Sequence, residues 1–224
     1  GLKLETYIVK QRHNLHYNHA RETANLGLGA LLHDLGYLDL PTTLRDREGR
    51  SFSVEEAQQV REHPAKGFEK ARHTIEPSAA NILLNHHQRW DGHGYPARAA
   101  KDGQAPAPLA GEDIPVFSRI VGLANHYAAL IQRRTEQGVK CPPLQALFEM
   151  RFAIYKGWFD PEVAAIFYSM TPAFPVGSRV RLCTGELAAV VDFNPKAPCQ
   201  PTVVIYRDTD GHAADIGFME DIGA

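Results

Sequence analysis

The segment NHHQRWDGHGYP, residues 85–96, is the strongest indication of fold and chemistry in this sequence. An apolar helical pattern from Ala79 closes on two adjacent histidines, His86 and His87, and a turn with glycines, a proline and an aromatic residue at each end follows. Adjacent histidines suit a place where two neighbouring metal ions each need an imidazole. The glycines allow a sharp turn or a close approach to a ligand. Alone, a His-His pair is a weak indication of metal binding.

Two upstream motifs strengthen the metal hypothesis. His33 and Asp34 follow an apolar run, and His63 stands before Pro64. Each motif lies at the end of a helical pattern, as the His-His pair does. Imidazole nitrogens with a carboxylate form a ligand set that iron and manganese accept. The alternative for each single histidine is a hydrogen-bonded core or surface residue, which the ordered set of motifs argues against.

Composition indicates one domain with a small appendage. The chain has 224 residues, of which 44% are hydrophobic, and its formal net charge is −2. This balance implies no general polyanion-binding surface, so DNA is not an expected partner. Three cysteines without close spacing fit reduced thiols in a cytoplasmic protein better than disulfides or a zinc site. With no signal peptide and no apolar run of membrane-spanning length, we expect a cytoplasmic protein without membrane insertion.

Periodicity predicts a mainly α-helical bundle over residues 1–172, followed by a small antiparallel β-sheet extension over 173–224. A capping box at Ser53 and prolines at first helical turns mark several helix starts. The predicted helices are 2–25, 29–36, a segment running from Ser53 to His63, 65–73, one starting at Glu76-Pro77-Ser78, 114–134, 143–155 and 161–170. The predicted strands are 179–183, 187–192 and 202–207. The segment 97–113 is predicted to be a surface loop, or alternatively a flap over the substrate.

The histidines near the start of the chain are harder to place. His13, His16 and His19 lie on one drifting helix face, which is either solvated or the source of one metal ligand. On one continuous helix, His19 would lie about 21 Å from His33 at ~1.5 Å per residue, too far to share a metal cluster. The hypothesis that His19 is a ligand therefore requires a turn at residues 25–29.

These motifs together resemble those of the HD-GYP family, a branch of the HD phosphohydrolase superfamily. The likeness covers most of the chain from Leu26 onward, and the matching segments are LLHDLGYLDLP, EHPAKG, HHQRWDGHGYP, IPVFSRIVGLANHYAAL and PVGSRVRLCTGELAAVV. The resemblance implies an all-helical domain with a centre of two or three iron or manganese ions. It also implies hydrolysis of cyclic di-GMP or a related cyclic dinucleotide.

The resemblance also implies the site residues. Asp34 would be the bridging carboxylate, and Asp34 and Tyr37 occupy the catalytic positions. Arg89, Gly94 and Tyr95 would face the substrate, the arginine on a guanine edge or phosphate and the tyrosine by stacking. The implied metal ligands are His19 (with His16 as the second choice), His33, Asp34, His63, His86, His87 and Asn125.

Several positions depart from the family pattern. Tyr37 stands where the family has a lysine, Gln88 where it has a glutamate, and Asn125 and Ala128 where it has aspartates. An asparagine offers a carbonyl oxygen without charge and is a poorer ligand. Leu15 stands where three-metal members have a glutamate, so we expect two metal ions. Reduced catalysis is a consequence to test.

Two main hypotheses follow. The first is a metal-dependent phosphodiesterase that opens cyclic di-GMP to the linear dinucleotide or to GMP. The second is an impaired module that binds a cyclic dinucleotide, or a signalling protein such as a diguanylate cyclase, without turnover. A phosphohydrolase of mononucleotides is a third hypothesis, against which the Gly-Tyr-Pro turn argues. A homodimer is a further candidate assembly.

Overall fold

The computed structural model describes residues 19–45, 52–99, 105–134, 138, 140–152, 157–213 and 219–221. It confirms a mainly helical chain with a small antiparallel sheet. Two short 3-10 helices span Leu35–Asp39 and Gly111–Asp113. The α-helices are α1 (His19–Leu32), α2 (Thr42–Arg45), α3 (Val54–Val60), α4 (His63–Ala71), α5 (Pro77–Asn85), α6 (Val116–Gln132), α7 (Pro143–Arg151) and α8 (Pro161–Met170). None of the helices in these described segments has the length and apolar character needed to cross a membrane.

Capping groups explain where several helices begin. The Ser53 side chain accepts a hydrogen bond from the Glu56 amide while the Glu56 carboxylate accepts one from the Ser53 amide, which confirms the predicted capping box of α3. Asp160 accepts from the first amides of α8, where Pro161 occupies the first turn. The predicted end of α7 was wrong: the helix stops at Arg151, because Phe152 adopts extended backbone angles. Residues 153–156 lie outside the described segments.

Helix α1 contradicts the predicted turn at residues 25–29. It runs without a break from His19 to Leu32, and the helix predicted from Gly29 ends four residues early. Gly29, which lies in the expected turn, has a packing role within the helix instead. A methyl group on Gly29 would lie 2.9 Å from the Ala79 carbonyl oxygen of α5, so the glycine allows the two helices to pack closely. Close packing offsets the roughly 1 kcal/mol that a helical glycine costs.

The core lies where α1, α5 and α6 meet. Helix α1 packs on α5, and α5 packs on both α4 and α6. Leu26, Ile82, Ile120 and Leu123 are buried at this junction together with Val163 of α8. Burial of each of these large aliphatic side chains stabilises the fold by about 1.5–3 kcal/mol. The core therefore fixes α5, whose C-terminal end carries the two adjacent histidines.

Four antiparallel strands follow the helices. They are β1 (Arg179–Arg181), β2 (Leu187–Asp192), β3 (Thr202–Arg207) and β4 (Met219–Asp221), in the order β1-β2-β3-β4. Ala188, Val190 and Val203 form a small buried cluster within the sheet. The three predicted strands are present, with β1 two residues shorter than expected, and β4 was not predicted. The domain boundary at residue 172 and packing of the sheet on the helices stay predictions.

Candidate metal centre

Four predicted ligands converge from three parts of the chain. Asp34 lies just after α1, His63 is the first residue of α4, and His86 and His87 directly follow α5. Their nitrogen and carboxylate oxygen atoms lie within 4.8 Å of one another. His63 is fully buried and His86 is 2% exposed. This clustering of imidazoles round one carboxylate is typical of a metal-ligand set and not of a solvated surface.

Backbone carbonyls orient three of the imidazoles in the same way. His33 Nδ1 lies 2.8 Å from the Ala30 oxygen, His63 Nδ1 lies 2.7 Å from the Val60 oxygen, and His86 Nδ1 lies 2.9 Å from the Leu83 oxygen. A carbonyl can only accept, so each Nδ1 carries the hydrogen. In the neutral ring, Nε2 then has a free lone pair. Metal-binding histidines usually donate the N–H of their other ring nitrogen in this way, which fixes the ring orientation.

The Nε2 atoms of His63 and His86 show why a cation fits here. They lie 3.2 Å apart, and each is turned toward the same space. When both rings are neutral, two lone pairs face each other across this distance, which is unfavourable without a proton or a cation between them. Asp34 Oδ1 lies 3.4 Å from the first nitrogen and 3.7 Å from the second. The residues present thus fit a divalent cation.

The electrostatic environment favours the metal-binding forms of His86, His87 and Asp34. Burial, with the neighbouring imidazoles of His63 and His33, lowers the pKa of His86 to about 3. Burial and the same neighbourhood lower the pKa of His87 well below its usual value. Burial alone would raise the pKa of Asp34, but the adjacent His33 and His63 side chains outweigh it and lower that pKa far below the usual range. Neutral imidazoles and an ionised carboxylate are the forms that bind metals.

The second oxygen of Asp34 faces a different group. His33 Nε2 lies 3.2 Å from Asp34 Oδ2, while Oδ1 faces His63 and His86. Burial lowers the pKa of His33, but Asp34, the Ala30 carbonyl and the Asn125 side chain together raise it above its usual value. Asn125 of α6 therefore lies beside His33. The carboxylate separates two donor groups, one with three imidazoles and one with His33 and Asn125.

The remaining predicted ligand, His19, receives no support. Its side chain is outside the described part of the structure, as are His13 and His16 altogether. Because α1 is continuous, the backbone of His19 lies roughly 20 Å along the helix from Leu32, at ~1.5 Å per residue. His33 directly follows Leu32. The distance argued from the sequence therefore stands against His19 as a ligand.

Two tyrosines pack against the imidazoles. The Tyr37 ring centroid lies 4.3 Å from that of His63. Tyr95 stacks on His87 with ring centroids 4.6 Å apart and an interplanar angle of 18°. Tyr95 thus uses a ring face to hold His87, whereas the sequence predicted that it would stack on a nucleobase. The substrate role of Tyr95 and the catalytic role of Tyr37 stay predictions.

Two glycines allow the backbone contacts that hold the site together. A methyl group on Gly36 would lie 2.7 Å from the Gly67 nitrogen and even closer to the His63 carbonyl oxygen. A methyl group on Gly94 would lie 2.6 Å from the Gln88 Cα, where the chain turns back so that the Tyr95 amide donates to the His87 carbonyl at 3.1 Å. Gly94 is therefore needed for the turn itself. This requirement explains a glycine at position 94 without a contact to substrate.

The residues after the His-His pair are engaged in structure. Gln88 donates to the Pro96 carbonyl at 2.7 Å and accepts from the Leu109 amide at 3.0 Å. An amide can do both, whereas an ionised glutamate can only accept. Arg89 pairs with Asp91 and lies 3.9 Å from the ring centre of Trp158. Sequence reasoning missed both contacts, because each partner is remote or on a turn; the role of Arg89 toward substrate stays a prediction.

Comparisons with known proteins agree with this geometry. The HD domain family profile matches residues 5–163. A cyclic di-GMP phosphodiesterase of Pseudomonas aeruginosa is 30% identical over 183 residues, which are 80% of this chain and 41% of that protein. One from Thermotoga maritima is 30% identical over 144 residues, which are 63% of this chain and 36% of that protein. A 3′3′-cGAMP-specific phosphodiesterase of Vibrio cholerae is 30% identical over 107 residues, 46% of this chain and 18% of that protein.

A solved structure supports the fold. An HDG"Y"P protein from Bdellovibrio bacteriovorus superposes with a TM-score of 0.52 at 21% sequence identity, covering 74% of this chain and 48% of that one. The chain spans less than half the length of these curated relatives. The motifs, the helical bundle and the family match lead to one conclusion: this chain belongs to the HD domain family, in its HD-GYP branch.

Proposed function

We propose that this domain hydrolyses cyclic di-GMP, or a related cyclic dinucleotide, to the linear dinucleotide or GMP at a two-metal centre. The observation that carries the proposal is the pair of buried Nε2 atoms on His63 and His86, which face each other at 3.2 Å beside Asp34. The relatives support the substrate class, since several are named as cyclic di-GMP phosphodiesterases.

The donor groups on either side of Asp34 suggest how two ions would be held. His63, His86 and His87 would hold one with Oδ1, and His33 would hold the other with Oδ2 and the Asn125 carbonyl. When bound, iron or manganese ions supply a Lewis acid and a water of lowered pKa for attack on phosphorus. Asp34 keeps the two positions at a fixed separation, because its carboxylate is held by His33 and His63.

The other residues shape the surroundings of this centre. Carbonyl contacts at Nδ1 fix the ring orientation of His33, His63 and His86, so no rotamer search is needed when a ligand binds. Tyr37 and Tyr95 cover His63 and His87 and restrict water around those rings. The Asn125 position brings no negative charge, so the His33 side holds a cation less tightly than the three-imidazole side.

The test is an anaerobic assay. Protein loaded with ferrous iron or manganese is given cyclic di-GMP, and the products are separated by chromatography. We expect linear dinucleotide or GMP from the unmodified chain and from the variant His73→Ala, which removes an exposed histidine near the end of α4. His63→Ala removes a buried ligand and should abolish both turnover and metal retention. Intact substrate with metal bound would contradict the proposal, and a mononucleotide panel would then test the third hypothesis.

A second candidate is binding without turnover. It is favoured by Tyr37 and Asn125, which replace a cation and an anion of the family pattern. Calorimetry would then show cyclic di-GMP binding to metal-loaded protein while chromatography shows no product. Absence of turnover could come from the missing charge at Asn125 or from a different natural substrate. The variant Asn125→Asp separates these explanations, because it restores a carboxylate beside His33. Product from this variant alone would establish that the charge limits catalysis.

A further inference from the structure

Arg61 lies beside the metal centre in a place that the motifs do not mark. It occupies the short connection between α3 and α4, two residues before His63 and next to Val60, whose carbonyl orients the His63 ring. Its guanidinium carbon lies 5.5 Å from the centre of the Tyr95 ring. Tyr95 in turn stacks on His87. An exposed arginine is thus connected to the half-buried candidate ligand His87 through a single half-buried aromatic ring.

The charge of Arg61 is available to a ligand. Between residues 52 and 96, all of which the structure describes, the other cationic side chains each pair with a carboxylate: Lys66 with Glu62, Lys70 with Asp39, Arg72 with Glu69, and Arg89 with Asp91. Arg61 has no carboxylate partner among the described residues. It is therefore the one cation of this stretch whose charge is not offset within the described structure.

The contact of Arg61 with Tyr95 is compatible with anion binding by the same side chain. A guanidinium uses its flat face on an aromatic ring and its N–H edge on anions. Two oxygens of one phosphate group can therefore each accept a hydrogen bond from Arg61 without displacing the ring. Such bidentate contacts are among the strong, charge-assisted hydrogen bonds. Tyr95 holds the guanidinium in place and reduces the conformational entropy lost on binding.

The lysine that the family pattern would place near the phosphate is absent from this chain. Tyr37 stands where a lysine would approach the phosphate, and Arg89 is engaged by Asp91 and Trp158. A phosphodiester carries one negative charge that has to be desolvated at the centre. We propose that Arg61 is the substrate-binding cation of this chain and contacts a phosphate group of the nucleotide at the edge formed by Tyr95. This proposal rests on the proposed function only for the identity of the nucleotide that carries the phosphate.

The experiment measures equilibrium binding, which does not require turnover. Metal-loaded protein is titrated by calorimetry with cyclic di-GMP and, separately, with inorganic phosphate. Arg61→Gln keeps most of the side-chain length but loses the charge, and it should weaken binding of both probes roughly tenfold or more. Arg61→Lys keeps the charge and should lose less. Arg72→Ala removes a paired, exposed arginine at the other end of α4 and should leave both affinities unchanged, and metal content should be equal in all variants.

The outcomes separate this proposal from the proposed function. Cyclic di-GMP bound equally by the unmodified chain and Arg61→Gln would overturn the role of Arg61 and leave the function standing. If phosphate binding depends on Arg61 but cyclic di-GMP does not bind, the phosphate-binding role of Arg61 is supported and cyclic di-GMP is wrong as the substrate. An equal loss in Arg72→Ala would show a general effect of surface charge and overturn the proposal. If neither probe binds the unmodified chain, both proposals are wrong.

Discussion

The variant Gly36→Ala tests the backbone contact on which the metal centre depends. Its new methyl group would lie 2.7 Å from the Gly67 nitrogen and still closer to the His63 carbonyl oxygen. Cβ atoms in proteins keep at least about 3 Å from such atoms, and here the obstacles are backbone atoms that no rotamer change can move. We expect a loss of about 3 kcal/mol or more in the free energy of unfolding, the upper end for overpacking.

The same change should disturb metal binding. Asp34 and Gly36 lie on the segment that has to move away from α4, so Asp34 Oδ1 would leave its place 3.4 Å from His63 Nε2. Urea unfolding of the metal-free protein measures the stability, and elemental analysis after gel filtration measures the retained metal. Gly27→Ala is the matched control: a methyl group there meets nothing within 4 Å, so this helical position should gain about 1 kcal/mol.

One result would refute the role of the Gly36 contact. If Gly36→Ala unfolds within about 1 kcal/mol of the unmodified chain and retains its metal, the backbone approach between Leu35–Asp39 and α4 is not the constraint described here. A loss of stability with full metal retention would separate the packing role of the glycine from the placement of Asp34.

Three further predictions concern the charges of the site. Metal-free protein should lose stability as the pH falls below about 6.5, by up to about 1.4 kcal/mol per pH unit for each of His86 (pKa about 3) and His87, because both rings stay neutral in the fold while the unfolded chain takes up the protons. Urea unfolding at several pH values checks this, and the raised pKa of His33 opposes it in part. Gln88→Glu places a carboxylate oxygen against the Pro96 carbonyl and should cost about 1–3 kcal/mol, seen as a lower melting temperature; an unchanged value would contradict the hydrogen-bond argument. Asn125→Asp should raise resistance to a chelator roughly tenfold, and equal metal loss would exclude Asn125 from the centre.

Local signals in the sequence were enough for most elements. Ser53 with Glu56, Pro77 and Asp160 with Pro161 act within one helical turn, so their effect can be predicted without knowledge of the fold. The strands β2 and β3 also follow from local alternation of side chains and were predicted to the residue. The convergence of Asp34, His63, His86 and His87 was expected from the family resemblance, and spacing alone would not have established it.

The errors arose where a residue serves a distant partner. A turn was expected at residues 25–29 because His19 as a ligand would require one, but Gly29 continues the helix and packs on Ala79 of α5, 50 positions away. Gln88 was regarded as a lost glutamate, whereas it bonds the backbone at Pro96 and Leu109. Arg61 belonged to no motif, because its contact with Tyr95 joins two loops. Each of these contacts depends on the tertiary structure and leaves no periodic signal in the sequence.

The changes from the family pattern at Tyr37 and Asn125 spare the residues that would hold the first ion. The imidazoles and Asp34 that would bind the more tightly held ion are all present, and their orienting carbonyls come from the helix backbone, which side-chain replacement does not remove. The changes at Tyr37 and Asn125 instead alter the charge near the substrate and at the His33 side. We therefore expect Tyr37 and Asn125 to affect turnover more than they affect retention of the first ion. A protein that binds one ion firmly, a second weakly and the phosphate through Arg61 would satisfy every contact described, and its activity would then rise with metal concentration well beyond the point at which the first ion is bound.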